Sequence, residues 1–240
     1  MNITIITVCF NASDSIEHTM LSVLHQTYKN IEYIVVDGDS QDNTLEKIQV
    51  IKKDYLDRDI KVVSEKDKGI YDAMNKGIRM ASGSWILFLN SGDSFYNENV
   101  ISEIFESYVD NGESIIYGKT VFYDAQNKKI ENVRYSDYEF MPACHQSIFT
   151  RASELKNNPF DLDFKITADF VFYYKLYKRN PKYLKSDRII SIYDTNGISR
   201  TQYINVTKEH LKLYVHHLDQ RSLKMFLRVA KYYLSRIWRQ

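Results

Sequence analysis

A chain of 240 residues has room for one large α/β domain and a small addition. Its 32 Lys and Arg against 31 Asp and Glu leave a formal charge of +1, which gives no general pull toward nucleic acid. With 44% hydrophobic and 26% charged residues, a mainly disordered chain is excluded. Two cysteines, Cys9 and Cys144, are too few for a disulfide framework and suit a reducing compartment. No basic stretch followed by an apolar one opens the chain, and no window approaches the roughly 20 apolar residues that span a bilayer. A cytoplasmic protein is expected, with membrane contact at a surface only.

Four apolar, β-branched runs come first: Ile3 to Phe10, Ile31 to Val36, Ile60 to Val63 and Trp85 to Leu89. Such runs suit strands buried on both faces. Helical spacing fills the gaps. Ser15 to His25 carries Ile16, Met20, Leu21 and Leu24, with Asp14 and Glu17 spaced as a capping box. Asn43 to Tyr55 follows, then Tyr71 to Ala81, closed by Gly83. This alternation predicts a doubly wound, mostly parallel sheet. Beyond residue 110 the pattern changes. Ile115 to Phe122 and Ile130 to Tyr135 flank the polar turn Asp124 to Lys129 and predict an antiparallel hairpin. A helix is expected over Ala168 to Arg179, strands near Tyr183 and over Ile189 to Tyr193, and helices over Tyr203 to His217 and Leu223 to Trp238.

In open α/β sheets ligands bind beyond the carboxyl ends of the strands. Asn11 follows the first strand and Asp37-Gly38-Asp39-Ser40 the second. Glu65 to Gly69 follows the third, and Asn90-Ser91-Gly92-Asp93 the fourth. Acidic residues in such places commonly cap helices, but four polar clusters on one edge exceed what capping needs. Neither GxGxxG nor GxxxxGK[ST] is present, so the glycine cradles of dinucleotide and P-loop proteins are missing. Carboxylates without such a cradle point to phosphates held through a divalent cation, Mg²⁺ or Mn²⁺.

The opening, ITIITVCFNASDSIEHTMLSVLHQTYKNIEYIVVDGDSQDNT, resembles that of family 2 inverting glycosyltransferases with the GT-A fold. SEKDKGIYDAMNKGIRMASGSWILFLNSGD resembles a subgroup from bacterial capsule, O-antigen and colanic-acid polysaccharide synthesis, and the likeness covers roughly residues 1 to 200. It implies an α/β GT-A fold with an antiparallel extension, and transfer of a sugar from a nucleotide-diphospho-sugar to an acceptor hydroxyl. A UDP-sugar is the expected donor, and a lipid-linked oligosaccharide at the inner face of the membrane the expected acceptor. The likeness places Thr7, Asn11, Asp37, Asp67 and Asn75 near the nucleotide. Gly38 stands where the family often has a second acidic residue, and Met74 where many members have Arg. The family's acidic metal motif is reduced to Asn90-Ser91-Gly92-Asp93, leaving Asp93 as the expected metal ligand with Asn90 as a neutral helper. Asp169 aligns with the family's general base, though a carboxylate there also suits the helix macrodipole. His145 and Gln146 resemble the lining of the sugar pocket, and Arg200 lies in a segment resembling a loop over the diphosphate.

Residues 1–202 are therefore expected to form the catalytic domain and 203–240 a helical extension. Within 223–239 apolar residues fall at helical spacing among Lys and Arg, which suits an anionic membrane surface or, alternatively, packing in a homodimer. Two other functions fit parts of the pattern: a non-catalytic nucleotide-sugar-binding module and a nucleotidyltransferase. Asn11-Ala12-Ser13-Asp14 lacks the glycine-rich basic loop expected of the latter.

Overall fold

The structure, a computed structural model, describes residues 1–124, 126–136, 138–195 and 202–216. Arg200 and the 223–239 tail lie outside the described residues. Four strands form the parallel half of one sheet: β1 (Ile3–Cys9), β2 (Ile31–Asp37), β3 (Asp59–Ser64) and β4 (Trp85–Phe88), in the order β3-β2-β1-β4. Ile3 at the start of β1 lies opposite Ile31 on one side and Trp85 on the other.

Side chains alternate along each strand and feed two cores. Ile6, Val8, Ile34, Val36, Ile86 and Phe88 face one side, where helices α3 (Ile70–Met80), α5 (Ala152–Asn157) and α6 (Ala168–Tyr177) cover them. Ile5, Tyr33, Val35, Trp85 and Leu87 face the other, against α1 (Ile16–Leu24), α2 (Thr44–Asp54) and α4 (Val100–Phe105). Burial of each such side chain contributes about 1.5–3 kcal/mol. Helix α3 lies close on β1 because residue 77 is glycine: a Cβ there would meet Ile6 Cγ2 at 2.6 Å.

The sheet continues through β8 (Ile148–Arg151), β6 (Ile115–Asp124), β9 (Tyr183–Asp194) and the short β5 (Ser94–Phe95). β8 runs antiparallel to both β4 and β6, while β9 is parallel to β6 and antiparallel to β5. The hairpin partner β7 (Lys129–Arg134) pairs with β6. The mixed α/β fold and the antiparallel extension agree with expectation, with three differences. The strands expected near Tyr183 and Ile189 are one strand, whose ladder with β6 shifts register near Lys119. The Asp14–Glu17 capping box is absent: Ser15 is the N-cap of α1 and makes no side-chain cap, and the turn closes instead through Ser15 and Ile16 amides to the Ala12 carbonyl. β5, α4, β8 and α5 went unpredicted, being two to six residues long and too short to set up a period.

A last helix, α7 (Tyr203–His216), follows the sheet. Val206, His210 and Leu213 are buried along one of its faces, and Leu213 joins the core that contains α6. No helix among the described residues is long and apolar enough to cross a membrane.

Candidate functional site

The carboxyl ends of β1 to β4 open on one edge of the sheet. Asn11, with φ +48°, turns the chain away from β1; its Oδ1 accepts the Gln41 amide at 2.8 Å and its amide donates to Ser40 Oγ at 2.8 Å. The two loops after β1 and β2 are thereby tied together. Asp37 ends β2 fully buried, its Oδ2 accepting from the Ser40 amide at 3.1 Å and from Ser64 Oγ at 2.7 Å. After β3, Asp67 Oδ1 accepts the Gly69 amide at 2.8 Å and Asp72 accepts the Lys68 amide at 3.0 Å. These turns launch α3 from Gly69, whose φ of +116° suits glycine.

A Cβ at Gly38 would stand 2.5 Å from Asp67 Oδ2 and 3.4 Å from the ring of Phe10. The space that a second acidic residue at position 38 would fill is therefore occupied by the Asp67 carboxylate. Phe10 itself is 62% exposed beside it. Sequence reasoning missed Phe10, which reads as the last residue of an apolar strand.

The turn after β4 depends on Gly92, whose φ is +101°, and on Thr19 of α1: Thr19 Oγ1 accepts the Gly92 amide at 3.0 Å and donates to the Asp93 carbonyl at 2.7 Å. Asp93 is buried at 5% exposure; Oδ2 accepts from Gln146 Nε2 at 2.8 Å and Oδ1 from the Asp194 amide at 3.2 Å. Burial pushes its carboxyl up to about 6, against the pull of the bonds from Gln146 and the Asp194 amide. Asn90 Nδ2 lies 3.2 Å from His145 Nε2, while Asn90 Oδ1 is buried with no partner.

His145 and Gln146 form a short 3₁₀ turn, His145–Ser147, that reaches two neighbours at once. Gln146 holds Asp93, and His145 Nδ1 lies 2.9 Å from Asp169 Oδ2. With Asn90 donating to Nε2, the His145 proton sits on Nδ1 and is given to Asp169, an assignment drawn from the hydrogen bonds. Asp169, in the first turn of α6, has Oδ1 2.7 Å from the Tyr71 hydroxyl and accepts the Phe170 amide at 2.8 Å. Burial raises its carboxyl, but the hydrogen bonds from His145, Tyr71 and the Phe170 amide outweigh burial and hold it below the usual carboxylate range. Asp169 is consequently ionised at neutral pH. Tyr71, another residue not singled out from sequence, is pushed well above the ordinary phenol by burial and the Asp169 charge, so it remains a donor.

The structure thus joins Asn90, His145, Asp169 and Tyr71 in one hydrogen-bonded chain, with Gln146 and Asp93 alongside. Asn11, Asp37 and Asp67 gather at the neighbouring strand ends. Thr7 and Asn75 point elsewhere. Thr7 lies two residues inside β1, fully buried, donating to the Leu89 carbonyl at 2.7 Å and bonding the Tyr33 hydroxyl at 2.9 Å. Asn75 is turned into the core, its amide paired in both directions with the Phe160 backbone at 2.9 Å.

Among the described residues no group of three or more His, Cys, Asp or Glu could hold a metal ion. Asn90 Oδ1, a hard oxygen buried without a partner, lies in the same turn as Asp93, whose two carboxylate oxygens already accept from Gln146 Nε2 and the Asp194 amide. Hard oxygens of this kind suit Mg²⁺ or Mn²⁺.

Residues 4–182 match the model for glycosyl transferase family 2. A PGL/p-HBAD biosynthesis glycosyltransferase of Mycobacterium tuberculosis is 27% identical over 201 residues, 80% of this chain and 75% of its own length. The Escherichia coli UDP-Glc:alpha-D-GlcNAc-diphosphoundecaprenol beta-1,3-glucosyltransferase WfaP is 36% identical over 102 residues, covering 42% of this chain and 39% of WfaP. Among solved structures, the mannosyltransferase PcManGT of Pyrobaculum calidifontis, in complex with GDP-Man and Mn²⁺, superposes with a TM-score of 0.72 at 13% identity, over 96% of this chain and 69% of that one. That last likeness is one of fold.

Proposed function

The chain belongs to glycosyl transferase family 2, and from that premise we propose that it transfers a sugar from a UDP-sugar, with inversion at the anomeric carbon, to a hydroxyl of a lipid-linked glycan. The observation that carries the reading is Asp169, ionised and held by His145 and Tyr71 at the edge where the strand ends gather. In the reaction the acceptor oxygen forms a bond to the anomeric carbon from the face opposite the diphosphate. Its proton passes to Asp169, the bond from the anomeric carbon to the diphosphate oxygen breaks, and the nucleoside diphosphate leaves. General-base assistance of this kind is typically worth about 10²–10⁴-fold. His145 orients the carboxylate from one side and Tyr71 from the other.

Phe10, Asn11 and Asp67 are the proposed nucleoside contacts, with Phe10 offering an exposed ring to a base, while the buried Asp37 holds the Ser40 and Ser64 turns behind them. Asn90 and Asp93 would hold a divalent cation, Mg²⁺ or Mn²⁺, which when bound supplies positive charge against the diphosphate. The Mn²⁺ in the mannosyltransferase complex supports this part of the reading, and the name of WfaP supports both the UDP-sugar and the lipid-linked acceptor. Arg200 as a diphosphate contact, and 223–239 as a contact to an anionic membrane, remain proposals from sequence.

A thermal-shift panel of UDP-glucose, UDP-N-acetylglucosamine and GDP-mannose, each with Mn²⁺ or with EDTA, tests the donor. The expected result is stabilisation by a UDP-sugar, about 2.7 kcal/mol at 100 times its Kd, that falls at least tenfold in affinity in EDTA. Stabilisation by GDP-mannose alone would overturn the choice of base, and equal affinity in EDTA would overturn the cation. Gly38→Val is expected to weaken donor binding by roughly tenfold or more by displacing Asp67. Calorimetry of the folded variant checks this, and unchanged affinity would remove Asp67 from the nucleotide site.

A further inference from the structure

The segment that leads into the base is gripped by a carboxylate from the far end of the chain. Glu209, on α7, accepts the amides of three consecutive residues: Lys165 at 2.7 Å on Oε1, then Ile166 at 3.1 Å and Thr167 at 3.0 Å on Oε2. The Thr167 hydroxyl donates to the same Oε2 at 2.9 Å. Thr167 is the N-cap of α6, yet its side chain makes no cap to its own helix. Its hydroxyl is turned back toward Glu209 instead. A carboxylate in a run of backbone amides forms charge-assisted bonds, stronger than those between neutral groups.

The other side of this segment is held by the residue that holds the base. The Tyr71 hydroxyl lies 2.7 Å from the Ile166 carbonyl and 2.7 Å from Asp169 Oδ1. Ile166 is therefore clamped through its amide by Glu209 and through its carbonyl by Tyr71, three residues before Asp169. The next residue of α7 adds a second contact. The ring of His210 lies on that of Phe170, centroids 4.1 Å apart and planes 32° apart, and Phe170 adjoins Asp169 in sequence. Burial pushes His210 down to about 4, so it meets Phe170 as a neutral ring at neutral pH.

We propose that Glu209 is a positioning residue for transfer, setting the start of α6 and with it the direction of the Asp169 carboxylate. This rests on the reading of Asp169 as the base. Glu209 itself touches neither substrate nor the reacting atoms; it acts through the 165–167 backbone. Displacement of a reacting group by about 1 Å can cost roughly 10²-fold in rate, so the effect falls on turnover and not on donor affinity.

The test is steady-state transfer by the full chain. The donor is the one selected from UDP-glucose, UDP-N-acetylglucosamine and GDP-mannose, and the acceptor is a synthetic lipid-diphosphate-linked N-acetylglucosamine. Glu209→Ala is expected to lower kcat by roughly 30- to 100-fold and leave the donor KM within about twofold. Glu209→Gln keeps one carbonyl acceptor and is expected to recover part of that loss. Combined with Asp169→Asn, Glu209→Ala is expected to add less than about threefold, because it acts through the group already removed. A kcat within about threefold of the parent for Glu209→Ala, or a full multiplicative loss in the double variant, would overturn the proposal. Loss of donor binding in both Glu209 variants would make the contact one of folding and overturn it as well. Turnover kept by Asp169→Asn alone would instead bring down the base reading, whatever Glu209→Ala does.

Discussion

Asp169→Asn is expected to lose about 10²–10⁴-fold in turnover while keeping its fold and its donor affinity. The amide has nearly the carboxylate's shape, so its Oδ1 can still accept from Tyr71 and the Phe170 amide. What disappears is the charge proposed to receive the acceptor proton, together with the Oδ2 acceptor of the His145 Nδ1 proton. Two measurements separate this from unfolding: the melting temperature, expected within a few degrees of the parent, and calorimetric binding of the donor, expected within about threefold. Turnover within about threefold of the parent would mean that another group takes the proton.

Glu32→Ala is expected to give the largest loss of stability, about 2–4 kcal/mol at pH 7, or roughly 5–15 °C in Tm. Glu32 is fully buried on β2 and ties three elements together. It accepts from Ser82 N at 2.7 Å, Ser82 Oγ at 2.8 Å and Thr4 Oγ1, and it pairs with Lys61. Burial pushes its carboxyl up, but the bonds from Lys61, Thr4 and Ser82 prevail and hold it at about 2, against an ordinary 4.5. Between those values the unfolded chain binds a proton that the folded chain does not. The stabilisation from Glu32 is therefore complete above pH 4.5 and is lost as the pH falls toward 2. Urea melts from pH 7 to pH 3 should show a steeper acid loss in the parent than in Glu32→Ala. Parallel acid limbs would show that the carboxylate network is not the source.

The parallel half of the fold is legible in the sequence because its strands are buried on both faces. Tyr33 to Val36 and Trp85 to Leu89 must be apolar throughout, and little else reads that way. Asp169 enters through the resemblance to the family's general base, since the local pattern alone, a carboxylate at a helix start, suits the helix macrodipole equally. The contacts that hold it are not legible in the sequence. His145 reaches Asp169 across 24 residues of chain and Tyr71 reaches it across 98, so neither contact leaves a spacing to find. Thr7 and Asn75 lie away from this cluster for reasons the sequence does not carry: the Thr7 hydroxyl is engaged inside the sheet by the Leu89 carbonyl and Tyr33, and the Asn75 side chain meets the Phe160 backbone, which only the fold brings near. Glu209 reads as an ordinary solvated helix residue until the 165–167 amides are seen around it. Gly38 is the instructive intermediate case. The sequence marks it as a departure from the family, and the structure supplies the Asp67 carboxylate in the space it leaves.

The stereochemistry of the product tests the central claim most directly. The nucleotide sugar selected by the thermal-shift panel, α-linked in its UDP or GDP form to glucose, N-acetylglucosamine or mannose, is incubated with the full chain and the lipid-diphosphate-linked acceptor. Proton NMR of the released glycan then reads the configuration at the transferred anomeric carbon. Displacement from the face opposite the diphosphate, with Asp169 taking the acceptor proton, predicts a β-linked product. An α-linked product would contradict the account, because retention demands a different path across the anomeric carbon and leaves Asp169 without the role assigned to it.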